Sequence, residues 1–216
     1  MEFMKIKKFK EYQLLNGIEV IKKLKLEDHL GNLLNDNKSN NAPYHNLNHT
    51  LCVIKNVYYL ANQEDLNNKE IKNLVLAAIY HDFNHSQGEK KDDENIKEAI
   101  KALKKYVEGD TTDIEELIKA TQYPYVIEDK DLSDSQKVLK DADVMQIFED
   151  NFIQQVIYGL STELKMSVKD FLPIQIKFLD NLKYYTKAAQ EISKSRLSTI
   201  KDETNFLIDL LNKKSE

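Results

Sequence analysis

Four of the chain's five histidines fall into two short groups, His45 with His49 and His81 with His85, and the second group contains an aspartate, Asp82. Each pair is spaced i, i+4, which on a helix places both rings on one face. Imidazole and carboxylate together suit Zn, Mn, Fe or Mg, depending on geometry and on the waters that complete the shell. The run Ala77-Ala78-Ile79-Tyr80-His81-Asp82-Phe83-Asn84-His85 leads an apolar segment into two polar rings and a carboxylate. Burying such groups is costly, and a divalent cation would compensate them. Adjacent residues on a helix diverge by about 100°, so His81 and Asp82 can share one ion only across a helix end. Further ligands must come from elsewhere. The best-placed carboxylates are in the Asp141-Ala142-Asp143 step, between Leu139 and Val144. Residues two apart on a helix point about 200° apart, so only one of the two faces the ion, and periodicity does not choose between them.

These groups require helices to carry them. Apolar positions from Leu14 to Leu34 follow helical spacing, with breaks expected around Gly17 and near Gly31. Residues 35–43 form a polar, turn-forming stretch. A helix then runs through Leu51, Val53, Ile54, Val57 and Leu60, with Asn46 or Asn48 as N-cap, and Asn67 or Asn68 caps the apolar helix that delivers His81 and Asp82. After a polar loop at 86–93, a helix over about 93–107 is expected to close at Gly109. The next starts at Thr111 or Thr112, with Glu115 spaced for a capping box to Thr112, and ends at Tyr123-Pro124-Tyr125. Residues 126–131 are acidic and expected to be irregular and exposed. Ser133 or Asp134 caps a helix reaching Phe148, and helices follow over 152–158, 168–189 (with Pro173 near the start) and 192–212. No segment alternates with period two over a useful length. The expectation is an all-α protein.

With 216 residues, 41% apolar and 31% charged, the chain has an ordinary soluble composition, and one helical domain over 1–216 accounts for it. The net charge of −5 argues against general nucleic-acid binding. A single cysteine, Cys52, allows no intrachain disulfide. No apolar run approaches the ~18 residues of a membrane span, and the basic residues at 5–8 are not followed by an apolar signal core. A cytoplasmic protein with no membrane partner is expected. The apolar face of the C-terminal helices either completes the core or pairs two copies, so monomer and homodimer both remain open.

Read together, Tyr44-His45-Asn46-x-x-His49, His81-Asp82-x-x-His85 and Ala142-Asp143 resemble the HD superfamily of metal-dependent phosphohydrolases. The likeness is closest to the catalytic domain of class I cyclic-nucleotide phosphodiesterases. Ala77-Ala78-x-x-His81-Asp82-x-x-His85 is similar to that family's central motif, Ala120-Thr121 resembles its alanine–threonine helix end, and Gln175-Ile176-Lys177-Phe178-Leu179-Asp180 resembles its Gln-x-x-Phe-Ile-Asp segment. The likeness spans about 44–182, leaving 183–216 as helices that complete the fold. It implies a single compact HD-type domain in which His49, His81, Asp82 and Asp143 hold a first divalent metal. Asp82 would bridge to a second metal completed mainly by water. The resemblance further implies His45 as general acid, His85 as a histidine beside the second metal's waters, and Tyr44, Gln175 and Phe178 as substrate contacts, with Gln175 bonding and Phe178 stacking on a base. The chain departs from the phosphodiesterases in a longer loop after His85, in the apolar run 144–148 and in its shorter length.

The residue types suit that chemistry. A phosphoester needs its anionic oxygens neutralised, a hydroxide at neutral pH and a proton for the leaving alkoxide; two metal ions supply the first two, and histidine the third. The expected activity is therefore metal-dependent hydrolysis of a cyclic nucleotide or related small nucleotide phosphoester. A nucleotidase acting on monophosphates is the alternative within the superfamily. A silent nucleotide- and metal-binding module is the alternative outside enzymes. The Gly-Tyr-Pro signature of cyclic-dinucleotide hydrolases is absent, and Asn84-His85 stands where guanosine-tetraphosphate hydrolases carry Glu-Asp.

Overall fold

Short-range capping starts half of the ten helices described. In the computed structural model, which describes residues 15–213, Asn16, Asn46, Asn67, Ser133 and Ser167 each accept a backbone N–H at a helix start. Asn67 with Glu70 and Ser133 with Gln136 form reciprocal capping boxes. The helices are α1 (Gly17–Leu24), α2 (Glu27–Asp36), α3 (Leu47–Gln63), α4 (Asn68–Tyr80), α5 (Asp92–Tyr106), α6 (Thr112–Lys119), α7 (Asp134–Val144), α8 (Gly159–Glu163), α9 (Val168–Asn181) and α10 (Lys187–Lys213). Short 3-10 turns lie at Asp129–Asp131 and Met145–Phe148, and a π-helical turn at Ile153–Tyr158 leads into α8. The described residues contain no strand, so the fold is all-α. No helix among them is long and apolar enough to cross a membrane. Leu14 and the basic residues at 5–8 lie outside the described residues.

The centre is built by α3, α4 and α7. α3 contributes Val53, Ile54, Val57 and Leu60, α4 contributes Leu74, Val75, Ala77, Ala78 and Ile79, and α7 contributes Val138, Leu139 and Ala142. Each of these side chains is essentially sealed from water, and full burial of a Leu, Ile or Val is worth roughly 1.5–3 kcal/mol. Across this core, the Asn56 amide donates to the Ala142 carbonyl at 3.0 Å, tying α3 to α7 one residue before Asp143. α10 packs along α9 and covers the turn at Met145–Phe148.

Several boundaries differ from the sequence expectation. The first long segment breaks at Lys25, which takes a left-handed φ of 57°, and Gly31 sits inside α2. Gly109, with φ +87°, lies two residues beyond the extended cap Val107. The α6 box is replaced by a Thr111 hydroxyl donating to Glu115 at 2.7 Å, while the Thr112 hydroxyl bonds Asp110. α7 tightens to 3-10 geometry at Met145. The expected helix over 168–189 divides at residues 182–186.

That last break has a tertiary cause. The Asp141 carboxylate is fully buried and accepts from the Tyr185 N–H (3.0 Å), the Thr186 N–H (2.7 Å) and the Thr186 hydroxyl (2.8 Å). Donors so well satisfied hold the chain extended before α10, and the Thr186 hydroxyl in turn accepts the Ala189 N–H. Asp141→Ala would leave these donors without an acceptor. It is expected to lower stability by about 2–4 kcal/mol in urea melts while leaving metal content unchanged. Loss of metal in that variant would place Asp141 in the wrong role.

Candidate active site

α4 ends at Tyr80, and His81 is its C-cap, with backbone N–H bonded to Ala77. Asp82 begins the following turn, so the two side chains meet across the helix end, as the 100° divergence requires. Neighbouring residues hold the turn through its backbone. Ser39 donates to the Asp82 carbonyl at 3.1 Å, and Asn84, at φ 61°, exchanges bonds with the 37–39 loop: its N–H donates to Asn37 Oδ1 (2.7 Å) and its Oδ1 accepts from the Lys38 N–H (2.9 Å). α3 supplies His49 from its first turn, its N–H capped by Asn46 Oδ1 at 3.0 Å, and α7 supplies Asp143.

The ligand atoms of His49, His81 and Asp82 lie within 4.8 Å of one another, and Asp143 approaches both histidines from α7. His49 Nε2 lies 3.2 Å from Asp82 Oδ2, 3.1 Å from Asp143 Oδ1 and 3.4 Å from His81 Nε2. His81 Nε2 lies 3.0 Å from Asp82 Oδ2 and 3.6 Å from Asp143 Oδ1. Ligand atoms about 2.0–2.2 Å from one ion, at tetrahedral or octahedral angles, stand about 2.8–3.6 Å from one another. His81 Nδ1 faces the Ala78 carbonyl at 2.9 Å, which can only accept, so Nδ1 carries a proton and the ring would offer Nε2 to a metal at the centre. Asp82 Oδ2 is buried without a hydrogen-bond donor. A bare buried carboxylate oxygen facing two imidazole nitrogens fits a divalent cation.

The electrostatics of the metal-free cluster agree. Burial would lower the His49 pKa, but the carboxylates of Asp143 and Asp82 outweigh it and raise it to about 9. His81 is likewise raised, burial being overcome by Asp82 and Asp143. Burial would raise Asp82 and Asp143, yet the facing histidines hold both well below the usual carboxylate range. Protons thus take the place of a cation, and metal must displace them. The sign follows from linkage: a raised histidine contributes stability fully present below its ordinary pKa of about 6.5 and lost as pH rises through its folded value. The metal-free protein is therefore expected to lose thermal stability from about pH 6.5 to about pH 9, the raised His49 value. Metal-loaded protein should hold its Tm over that window. Parallel Tm profiles with and without metal would refute the arrangement. The depressed aspartates act at the acid end, where their contribution is lost as pH falls below about 4.

A second cluster adjoins the first. His45 Nδ1 lies 2.6 Å from Glu163 Oε2, while Glu163 Oε1 accepts the backbone N–H groups of Tyr44 (2.7 Å) and His45 (2.9 Å). The His45 and His85 rings stack at 3.7 Å. Glu163 is 6% exposed; burial pushes its pKa up, but the bonds from His45 and the two backbone groups bring it below the usual value. His85 is lowered to about 4, first by burial and then by the neighbouring His45 charge, and is therefore neutral at physiological pH. Its Nδ1 accepts the Gln87 N–H at 3.1 Å, so its proton lies on Nε2. Glu163 reaches this place because Gly159 lets α8 touch residue 43: a Cβ at 159 would stand 2.7 Å from the Pro43 carbonyl oxygen.

The histidines are thus re-sorted. Neither i, i+4 pair shares a helix face, because His45 precedes the Asn46 cap of α3 and His85 follows the end of α4. The rings pair across the fold instead, His49 with His81 and His45 with His85. Asp143 faces the histidines, and Asp141 holds residues 185–186.

A cavity of about 90 Å³ opens on both clusters, lined by His45, His81, Asp82, His85 and Asp143 together with Asp92, Asn95, Thr121 and Tyr123. Tyr44, Gln175 and Phe178 are not among its lining residues. Tyr44 is buried behind the histidines, its ring 4.8 Å from those of His45 and His49. Gln175 is buried with its amide nitrogen unpaired, and Phe178 packs half-buried on the core. Helical spacing on α9 turns these two inward, where burial decides their direction. Glu163 and Asp92 were not singled out from the sequence. A lone acidic residue among 36 Asp and Glu carries no local signal, and Glu163 lies 118 positions from the histidine it meets.

Residues 46–147 match the family model of the HD domain. The matched span holds His49, His81, Asp82 and Asp143, while His45, Glu163, Gln175 and Phe178 lie outside it. No curated protein and no solved structure matches the chain. With the His-Asp step at the end of α4 and its partners from α3 and α7 in place, the chain carries an HD domain over residues 46–147, which supports a metal-dependent phosphohydrolase of the HD superfamily.

Proposed function

We propose that the protein is a phosphodiesterase that opens a cyclic nucleotide or a related small nucleotide phosphoester. The observation that carries the reading is the shared cavity: a carboxylate-held histidine and a metal-ready His–Asp cluster face the same space of about 90 Å³. That space has room for a phosphoryl group and water and is well below the 300 Å³ or more of a pocket enclosing a whole ligand. A divalent ion held by His49, His81, Asp82 and Asp143 supplies, when bound, neutralisation of phosphoryl oxygens and a more acidic water. The protein's own groups do the remaining work. Glu163 fixes the His45 ring through Nδ1 and leaves Nε2 to deliver a proton to the departing oxygen. His85, neutral and stacked on His45, offers its Nε2–H to the cavity as a hydrogen-bond donor without charge.

The test is turnover by the purified protein with added Mn²⁺ or Mg²⁺, with His81→Ala as control. Substrates are cyclic AMP, cyclic GMP, cyclic dinucleotides, nucleoside monophosphates and bis(p-nitrophenyl) phosphate. Opening of a cyclic monophosphate by the native protein alone is the expected result. Phosphate released from monoesters only would make it a nucleotidase. Silence across the panel in a metal-loaded protein would favour the binding module.

A further inference from the structure

One large aromatic ring, Tyr123, lines the cavity, and a second, Tyr125, lies against it two residues further on. Tyr123 lines the cavity beside His45, His85 and Asp92, yet is 60% exposed, and Tyr125 is 42% exposed. Their rings meet edge to face at 5.6 Å. Neither is spent on the core. The segment is anchored from below: the Tyr123 N–H donates to Asp92 Oδ2 at 2.6 Å, and Asp92 Oδ1 accepts from Asn95 at 3.1 Å. Lys140, on α7, is 2% exposed, and its ammonium has no hydrogen-bond partner. It lies 3.5 Å from the centre of the Tyr125 ring and 5.3 Å from that of Tyr185. A buried ammonium without an acceptor is costly, and the π faces offset part of that cost. The same contact holds the Tyr125 ring against the protein and leaves its outer part to solvent. A tyrosine held so has little rotamer freedom left to lose on binding.

The cavity's volume of about 90 Å³ suits a phosphoryl group, which would leave the sugar and base to extend past its rim. We infer that Tyr123 and Tyr125 form the platform on which the base of a nucleotide stacks while its phosphoryl group occupies the cavity. This assignment rests on the nucleotide phosphoester reading above and moves the base contact away from Gln175 and Phe178. Stacking accepts any base, because each presents a π face. Base preference should accordingly be broad.

The test measures binding without turnover. The Mn²⁺-loaded chain is titrated calorimetrically with the non-hydrolysable methylene phosphonates of AMP and of ribose 5-phosphate, which differ by the base alone. The AMP analogue is expected to bind about tenfold tighter or better. Tyr123→Ala and Tyr125→Ala should each narrow the gap, and the double variant should close it with the ribose analogue's affinity unchanged. Tyr125→Phe should keep it. Equal affinities in the native protein, a preference surviving the double variant, loss of the preference in Phe178→Ala, or no binding of either analogue would overturn the platform. A protein that shows the preference but turns over no phosphoester would keep the platform and lose the phosphodiesterase reading.

Discussion

Alanine in place of His45 is expected to lower phosphoester turnover by about 10²–10⁴-fold, the usual share of a general acid, and to leave metal content at the native level. Both halves follow from geometry. His45 lines the cavity but belongs to the Glu163 cluster, and its ring lies 5.8 Å from that of His49. Its removal subtracts no ligand from the His49–His81–Asp82–Asp143 set. The fold should persist, because Glu163 still accepts the Tyr44 and His45 backbone N–H groups through Oε1. Metal analysis by mass spectrometry beside a rate assay reads both halves at once. The defect should also shrink for a substrate whose leaving group needs no proton, such as a nitrophenolate. A His45→Ala protein that has lost its metal, or an equal loss on activated and unactivated esters, would contradict the assignment.

Asp82→Ala is expected to do the opposite: metal content falls below about a tenth of native and turnover drops to background, since the Asp82 carboxylate faces His49 Nε2 at 3.2 Å and His81 Nε2 at 3.0 Å. The protein should stay folded. The 82–84 turn is held by the Asp82 carbonyl and by the Asn37–Asn84 bonds, none of which uses the deleted side chain. The metal-free variant should also show a weaker decline in Tm above about pH 6.5, because His49 and His81 lose part of the negative charge that retains their protons. Native-like metal content in Asp82→Ala would move the metal centre elsewhere. The pH profile separates this from simple unfolding.

Much of this protein is legible residue by residue. Asn46, Asn67 and Ser133 cap their helices through bonds three residues long, which local chemistry determines wherever the chain goes. The apolar run 71–80 and the His-Asp step at its end announce a buried helix and a ligand pair for the same reason. Tertiary structure decided the rest. Asp141 and Asp143 are equivalent by periodicity; they separate because one meets the loop at 185–186 and the other meets His49 and His81. That loop itself breaks an otherwise helical run through a side chain 44 positions away, out of reach of any window along the chain. The i, i+4 histidines read as shared faces, but α3 starts after His45 and α4 ends before His85, so partners are chosen across the fold. Glu163 meets His45 only because a π turn and a glycine bring α8 against residue 43. Short-range hydrogen bonds and hydrophobic periodicity are properties of the sequence; which polar groups share a buried space is set by packing.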